Sequence, residues 1–322
     1  MNITLLGCGR WGSFIAWYMD AIKHNNVMVW GRDGDPLLDQ LIATHKNDYV
    51  EFPESIQLTH DLNKALNHSD TIIISISAQG VRDLMSHVNK IPCYKDKTFV
   101  LCMKGIEDST GKRLSEVLIE SGVDKNKIAV WVGPGHIQEF TRRVPNCMII
   151  DSHNPNLTQK LVKEFSSNLI RFYMGNDIIG TEIGAGAKNV MGIGAGMLDG
   201  LGYSVLKGAL MARGAHEVSL LIKAKGGNPM SAFGLCHLGD YEATLFSPHS
   251  HNRKFGEMFV KGEPFSKLAE GVATTKAMLK MAQELNIELP ITQAISNILN
   301  KVSTPQQILE ELFSRENKHE FD

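Results

Sequence analysis

Lys188 stands in the stretch Gly184-Ala185-Gly186-Ala187-Lys188-Asn189, among small and apolar residues where a solvated lysine would normally keep polar company. Eight glycines fall from Gly180 to Gly202, both included. Glycine inside a helix costs roughly 1 kcal/mol against alanine, so this density points to close approach of other backbone or side chains. Burial disfavours an ammonium, and a lysine whose pKa is drawn down toward neutrality suits the transfer of a proton. The plainer reading is a lysine at a helix edge with its head in water. Further on, Gly239-Asp240-Tyr241-Glu242-Ala243-Thr244 offers Asp240 to orient or charge-balance Lys188. Ser250-His251-Asn252-Arg253-Lys254 is dense in donors and suits a clamp on a phosphate monoester, with a polar loop as the alternative.

Two turns earlier in the chain carry candidates of the same kind. Met103-Lys104-Gly105 places Lys104 just past an apolar run, and Val132-Gly133-Pro134-Gly135-His136 follows the next one. Open α/β sheets bind ligands beyond the carboxyl ends of their strands. Lys104 is then placed to meet a ligand, and Gly133 and Gly135 leave backbone open to one; an ordinary turn is the alternative for each. At the start of the chain, Gly7-Cys8-Gly9-Arg10-Trp11-Gly12 has the spacing GxGxxG. Glycine at these positions allows a tight turn, backbone contact with a pyrophosphate and close helix packing, with a helix N-terminus facing the phosphates. Alone the spacing is weak; it gains force from the apolar strand before it and the amphipathic segment from Ser13 after it. About 20 residues beyond the third glycine, where a ribose is read, stand Arg32 and Asp33. An acidic residue favours NAD and a basic one accommodates the 2′-phosphate of NADP, so either coenzyme is open, with a slight lean to NADP through Arg32.

These residues need a frame. Apolar runs at Ile3–Leu6, Val27–Trp30, Thr71–Ser75, Phe99–Met103, Ile128–Val132 and Cys147–Asp151 alternate with helix-like segments at Ser13–Lys23, Pro36–Thr44, Asp61–Asn67, Val81–Val88 and Arg113–Ser121. The alternation predicts a parallel sheet covered on both faces by right-handed crossovers. After about residue 180 no β run remains. Thr181–Ile222 is one apolar, helix-period region, followed by helical patterns at Glu257–Val260, Phe265–Asn286 and Thr292–Asn300, with Pro290 and Pro305 where helices start. The expected fold is α/β: an N-terminal Rossmann-type doubly wound domain, residues 1–180, and an all-helical substrate-binding domain, residues 181–322.

Composition narrows the function classes. The 322 residues are 43% hydrophobic and 21% charged, with a net charge of −2, enough for two cores and without the basic excess of a nucleic-acid binder. The five cysteines are scattered, odd in number and without a CxxC pair, which argues against a disulfide framework or a zinc site. His249-Ser250-His251 falls in the candidate phosphate clamp and no other histidine spacing suggests a ligand pair, so no metal is expected. With no signal-peptide pattern and no apolar run long enough to span a bilayer, a cytoplasmic protein without membrane insertion is expected. The apolar helical half suits a homodimer.

In their order along the chain, these motifs resemble the NAD(P)-dependent glycerol-3-phosphate dehydrogenases, from the N-terminus to about residue 300. The strongest stretch is Glu182-Ile183-Gly184-Ala185-Gly186-Ala187-Lys188-Asn189-Val190, continued by Ala195-Gly196-Met197-Leu198-Asp199-Gly200-Leu201-Gly202. Val27–Arg32, Lys104-Gly105-Ile106-Glu107, Arg213-Gly214, Gly239-Asp240, Asn252-Arg253 and Glu270-Gly271 also resemble family segments. The resemblance implies interconversion of sn-glycerol 3-phosphate and dihydroxyacetone phosphate with NAD or NADP, feeding glycerophospholipid synthesis. It implies that Lys188 gives and takes the proton, that Lys104 lines the same site, and that Asp240 and Thr244 position substrate and lysine. Asn252, with Ser250 and His251 beside it, would meet the phosphate, and Gly133 and Gly135 would offer backbone amides to the substrate. Arg10, Trp11, Arg32, Lys104, Ile137, His251 and Glu270 would match coenzyme contacts.

The chain departs from the family pattern in two places. His251 stands where the family usually has the first arginine of Arg-Asn-Arg, replacing a fixed charge by a group that titrates near neutrality. Phosphate affinity is then weaker and pH-dependent, or Arg253 compensates. Val132-Gly133-Pro134-Gly135-His136-Ile137 replaces the family's Ser-Gly-Pro-Ser/Thr-Phe-Ala, losing a hydroxyl and gaining an imidazole. A dehydrogenase for another small polyol phosphate or a hydroxy acid is therefore the alternative, and a non-catalytic nucleotide sensor a third reading that Lys188, Lys104 and Asp240 speak against.

Overall fold

The computed structural model of the chain describes residues 1–317, 319 and 320. They form two compact units, Met1–Met103 with Leu114–Ile178, and Lys104–Arg113 with Ile179–Asp322. The first holds eight strands: β1 Asn2–Leu6, β2 Asn26–Trp30, β3 Gln57–Thr59, β4 Thr71–Ile74, β5 Thr98–Leu101, β6 Ile128–Val132, β7 Asn146–Ser152 and β8 Ile170–Met174. Its helices are α1 Arg10–Trp17, α2 Pro36–Thr44, α3 Leu62–His68, α4 Val81–Val88, α5 Leu114–Glu120, α6 Ile137–Thr141 and α7 Pro155–Phe165. The sheet order is β3-β2-β1-β4-β5-β6-β7-β8. It reverses between β1 and β4, the switch point beside which open sheets bind nucleotides.

The apolar runs form strands because both faces of the sheet are covered. Ile3, Leu5, Val27, Val29, Ile73, Val100, Ala129 and Trp131 share one core cluster with Phe14 and Tyr18, as the two-residue period of a strand requires. On the opposite face Thr4 Oγ1 donates to the carbonyl of Ala65 in α3 at 2.9 Å. One expectation is corrected: the sheet is not wholly parallel, since β7 runs antiparallel to β6. Between them lies the five-residue α6. Five helical residues rise about 7.5 Å, less than the roughly 17 Å of the five-residue β6, so this helix cannot carry the chain back along the strand.

The second unit is helical: α8 Ile178–Gly200, α9 Lys207–Ala224, α10 His251–Lys261, α11 Glu270–Leu285, α12 Pro290–Leu299 and α13 Pro305–Phe313. The long apolar region read from the sequence is two helices, parted by a turn at Gly202, whose φ of +77° suits glycine. Its core gathers Ile183, Ala187, Val190, Met191, Val218, Leu221, Tyr241, Met278, Met281 and Ile295. The Lys104–Arg113 segment is tied into this unit by the buried Arg113–Glu182 pair at 2.8 Å and by Lys280 Nζ, which donates to the carbonyl of Ser109 at 2.6 Å. Among the described residues no helix is long and apolar enough to cross a membrane.

Candidate active site

In the helical unit, α8 carries Lys188, and two consecutive turns, Leu238–Asp240 and Glu242–Phe246, carry Asp240 and Thr244. The three side chains are buried. Lys188 Nζ lies 2.5 Å from Asp240 Oδ2 and donates to Thr244 Oγ1 at 2.9 Å. Thr244 Oγ1 in turn donates to the carbonyl of Asp240 at 2.7 Å, which locks the turn. Lys104 Nζ reaches the same Asp240 Oδ2 at 2.7 Å. Asn189, next to Lys188, donates through Nδ2 to the Lys104 carbonyl at 2.7 Å. The sequence thus brings Lys188, Lys104, Asp240 and Thr244 into one cluster from three separate stretches.

Glycine in α8 makes this approach possible. A Cβ on Gly192, one turn after Lys188, would stand 2.9 Å from Thr244 Cγ2 and 3.3 Å from Asn252 Cβ. On Gly196 it would overlap the Arg253 carbonyl. The glycines therefore admit both the Thr244 turn and the start of α10, as their density suggested.

The electrostatics favour proton transfer. Two ammonium groups share one carboxylate oxygen, so the cluster carries an excess positive charge in a place shielded from water. Burial brings the Lys188 pKa down to about 7; Asp240 opposes that fall and Lys104 adds to it. Asp240 Oδ1 is buried and has no hydrogen-bond partner among the described residues. A buried carboxylate oxygen left so is costly, and a substrate hydroxyl would relieve it.

At the start of α10, Ser250 accepts from the Arg253 amide at 3.3 Å, acting as the helix cap. Asn252 Oδ1 accepts from the Gly271 amide at 2.9 Å, capping α11, whose own N-cap is Ala269. That fixes the carboxamide with its Nδ2 donors to spare for an anion. His251 packs edge-on to Phe265. Arg253 is committed elsewhere: Nη1 pairs with Asp199 at 2.6 Å and Nε donates to the Ser247 carbonyl at 3.2 Å. Asp199 also accepts from Lys207 at 2.6 Å. The compensation by Arg253 considered from the sequence is therefore opposed by its own ion pair. Glu270 opens α11 and is half-buried.

In the sheet unit, the turn after β1 fits a dinucleotide. Gly7 has φ +116°, and a Cβ there would run into the Ser75 carbonyl after β4. A Cβ on Gly12 would overlap the Gly7 carbonyl. Gly9 is different: a Cβ there would meet nothing within 4 Å. Packing does not demand that glycine, whereas a phosphate lying against the backbone would. Gly9 is also the N-cap of α1 and supplies no side-chain acceptor, so first-turn amides are available to an anion. Arg10 places its guanidinium 6.0 Å from the Tyr49 ring centre and hydrogen-bonds Gln138 at 3.4 Å. The Trp11 ring packs on Phe14 and Phe140, and Ile137 is buried in the same core, leaving their backbone as the part suited to a coenzyme. Arg32 is exposed beyond β2. Its carbonyl meets His60 Nδ1 at 2.9 Å, while His60 Nε2 lies 3.1 Å from Asp39; both ring nitrogens face acceptors, and these bonds outweigh desolvation and raise the His60 pKa. Gly133 and Gly135 follow β6 with φ of +130° and +144°; the Phe140 ring occupies the place of a Cβ on Gly135.

Sequence reasoning missed His60, and it missed His237 and Tyr241 beside Asp240. Nothing in the spacing of a single histidine or tyrosine marks it, and only the fold shows their partners. No group of three or more His, Cys, Asp or Glu among the described residues is placed to hold a metal ion.

A doubly wound nucleotide-binding unit continued by a helical unit with a buried, proton-poised lysine is the build of a nicotinamide-dependent dehydrogenase. The model of the NAD-dependent glycerol-3-phosphate dehydrogenase N-terminus matches residues 2–158, and that of the C-terminus residues 177–310. The chain belongs to the NAD-dependent glycerol-3-phosphate dehydrogenase family. It is 35% identical to a glycerol-3-phosphate dehydrogenase [NAD(P)+] of Bacillus pumilus, covering 100% of this chain and 96% of the relative. It is 33% identical to one from a Thermoanaerobacter species, covering 99% of each. The crystal structure of glycerol-3-phosphate dehydrogenase from Coxiella burnetii superimposes with a TM-score of 0.88 at 27% identity, over 98% of this chain and 99% of that one.

Proposed function

We propose that this chain interconverts sn-glycerol 3-phosphate and dihydroxyacetone phosphate with NAD(H) or NADP(H), and that Lys188 gives and takes the proton. The observation that carries the reading is the buried Lys188, held between Asp240 and Thr244 with a pKa of about 7. The coenzyme, when bound, takes the hydride from the carbinol carbon or returns it. In reduction, the Lys188 ammonium stabilises the charge that grows on the ketone oxygen and then gives up its proton to it. In oxidation, neutral Lys188 takes the hydroxyl proton. Asp240 keeps the lysine in place through Oδ2 and offers Oδ1 to a substrate hydroxyl, and Lys104 lines the same site. Asn252, with Ser250 and His251, meets the phosphate, whose binding energy orients the reacting carbon. Gly133 and Gly135 offer backbone amides to the substrate. Gly7, Gly9, Gly12, Arg10 and Trp11 hold the pyrophosphate, and Arg32 lies where a 2′-phosphate is met; Ile137, His251, Lys104 and Glu270 complete the coenzyme contacts.

The product's use in glycerophospholipid synthesis, a cytoplasmic location and the lack of a nucleic-acid partner belong to the same reading, supported by the family and by five cysteines outside any disulfide. A homodimer is supported by an apolar groove of about 1030 Å³ in the helical unit, lined by Leu206, Leu210, Leu220, Ile291 and Phe313 among others. The test is coenzyme oxidation with dihydroxyacetone phosphate against unphosphorylated dihydroxyacetone and a panel of 2-oxo acids. Preference for dihydroxyacetone phosphate supports the reading. Preference for a 2-oxo acid overturns it in favour of a hydroxy-acid dehydrogenase.

A further inference from the structure

His237 and Tyr241 bracket Asp240 in the sequence and are both wholly buried. His237 Nδ1 lies 2.9 Å from the Gly184 carbonyl, and the Tyr241 hydroxyl lies 2.6 Å from His237 Nε2. A carbonyl can only accept, so Nδ1 carries the proton, and Nε2 then accepts from the tyrosine. These two bonds fix the neutral imidazole in one tautomer. Burial, the largest influence on it, also pushes its pKa down to about 4, and Lys188 acts in the same direction.

Gly184 is one turn before Lys188 on α8, and a helical side chain leans back over the preceding turn. A Cβ on Gly184 would stand 3.1 Å from His237 Cβ and 3.0 Å from Cys236 Sγ, so glycine there makes room for the His237 turn. The charged groups that act on the imidazole are Lys188 and Asp240; Glu217 acts on Tyr241. We propose that His237 is a positioning residue for Lys188: a neutral wall, held by Gly184 and Tyr241, that keeps water from the lysine head and braces the turn carrying Asp240. The proposal deepens the reading of Lys188 as the proton-transfer group and rests on it.

Without the ring, the space is bordered by the Gly184 carbonyl and the Tyr241 hydroxyl, polar groups that favour entry of water. Hydration relieves the cost of the ammonium, and the Lys188 pKa rises. The test measures Lys188 acylation by acetic anhydride against pH, read by peptide mass spectrometry on the full chain, with folding followed by circular dichroism. His237→Ala is expected to raise the Lys188 midpoint by about one unit or more. Oxidation of glycerol 3-phosphate at neutral pH then falls roughly fivefold or more, through kcat rather than KM, as less lysine is neutral. His237→Asn keeps an N–H toward Gly184 and fills part of the space, so its midpoint lies between the two; it decides the matter alone if the alanine variant does not fold. A midpoint unchanged from wild type in a folded variant overturns the proposal, as does a wild-type midpoint in the ordinary lysine range. The labelling needs no substrate. A shifted midpoint in a chain that does not turn over glycerol 3-phosphate upholds His237 and sinks only the substrate assignment.

Discussion

Asp240→Asn separates charge from shape at the centre of the site. The substitution keeps the size of the side chain and removes the carboxylate that faces both Lys188, at 2.5 Å, and Lys104, at 2.7 Å. With an effective dielectric of about 20, a unit-charge pair at that distance is worth roughly 6–7 kcal/mol. Water entry and the carboxamide dipole return most of this. Even a third, about 2 kcal/mol, exceeds one pH unit at about 1.4 kcal/mol per unit. Asp240 holds the Lys188 pKa up against burial and Lys104, so its loss moves that pKa downward from about 7. Reduction needs the ammonium, and its kcat falls as pH rises through the Lys188 pKa. In the variant that fall therefore comes at lower pH, at about 6 or below, and kcat for reduction at neutral pH drops roughly fivefold or more from protonation alone. The assay is steady-state kcat for dihydroxyacetone phosphate reduction at saturating coenzyme, followed by coenzyme absorbance from about pH 5 to 9. A limb that stays at the wild-type pH, or moves upward, refutes the reasoning.

Asn252→Asp should keep the cap on the Gly271 amide, so thermal stability holds, while its charge opposes a phosphate; KM for dihydroxyacetone phosphate rises roughly tenfold or more, and an unchanged KM would remove Asn252 from the clamp. Arg32→Ala should raise KM for NADPH more than for NADH, and equal effects would mean that Arg32 does not read the 2′-phosphate. Glu217 is buried and accepts from the Ile291 amide at 2.6 Å and the Thr292 amide at 3.0 Å, which caps α12. Glu217→Ala leaves these donors unmet and should cost about 2–3 kcal/mol in urea unfolding; a loss below about 0.5 kcal/mol would show that water replaces the cap.

The centre of the sheet was legible because β1, β2, β4, β5 and β6 are continuous apolar runs, as strands buried on both faces must be. The edges were not. β3 is three residues with one buried, and β8 buries only Ile170 and Phe172 of Ile170-Arg171-Phe172-Tyr173-Met174, too short a signal to stand out. Strand direction is set by the length of the connection, so the reversal of β7 lies outside what an apolar run records. In the site, Lys188 and Asp240 could be paired from residue type and neighbours. The fate of Arg253 could not: a run rich in donors does not tell which are consumed by the fold, and its partner Asp199 is 54 residues away. His237 and Tyr241 were hidden for the same reason, since their shared role depends on Gly184 lying against His237 and on the Tyr241 hydroxyl meeting its ring.

The most direct test of the account compares wild type with Lys188→Met in two measurements on the same preparations: coenzyme binding by fluorescence and dihydroxyacetone phosphate reduction by coenzyme absorbance. Asp240 keeps Lys104 as its partner in that variant, so the site retains a counter-charge. Coenzyme affinity should stay within about twofold, while turnover falls by about 10²–10⁴ as the proton donor is lost. Turnover close to that of wild type, with coenzyme binding intact, would contradict the role of Lys188 and with it the mechanism.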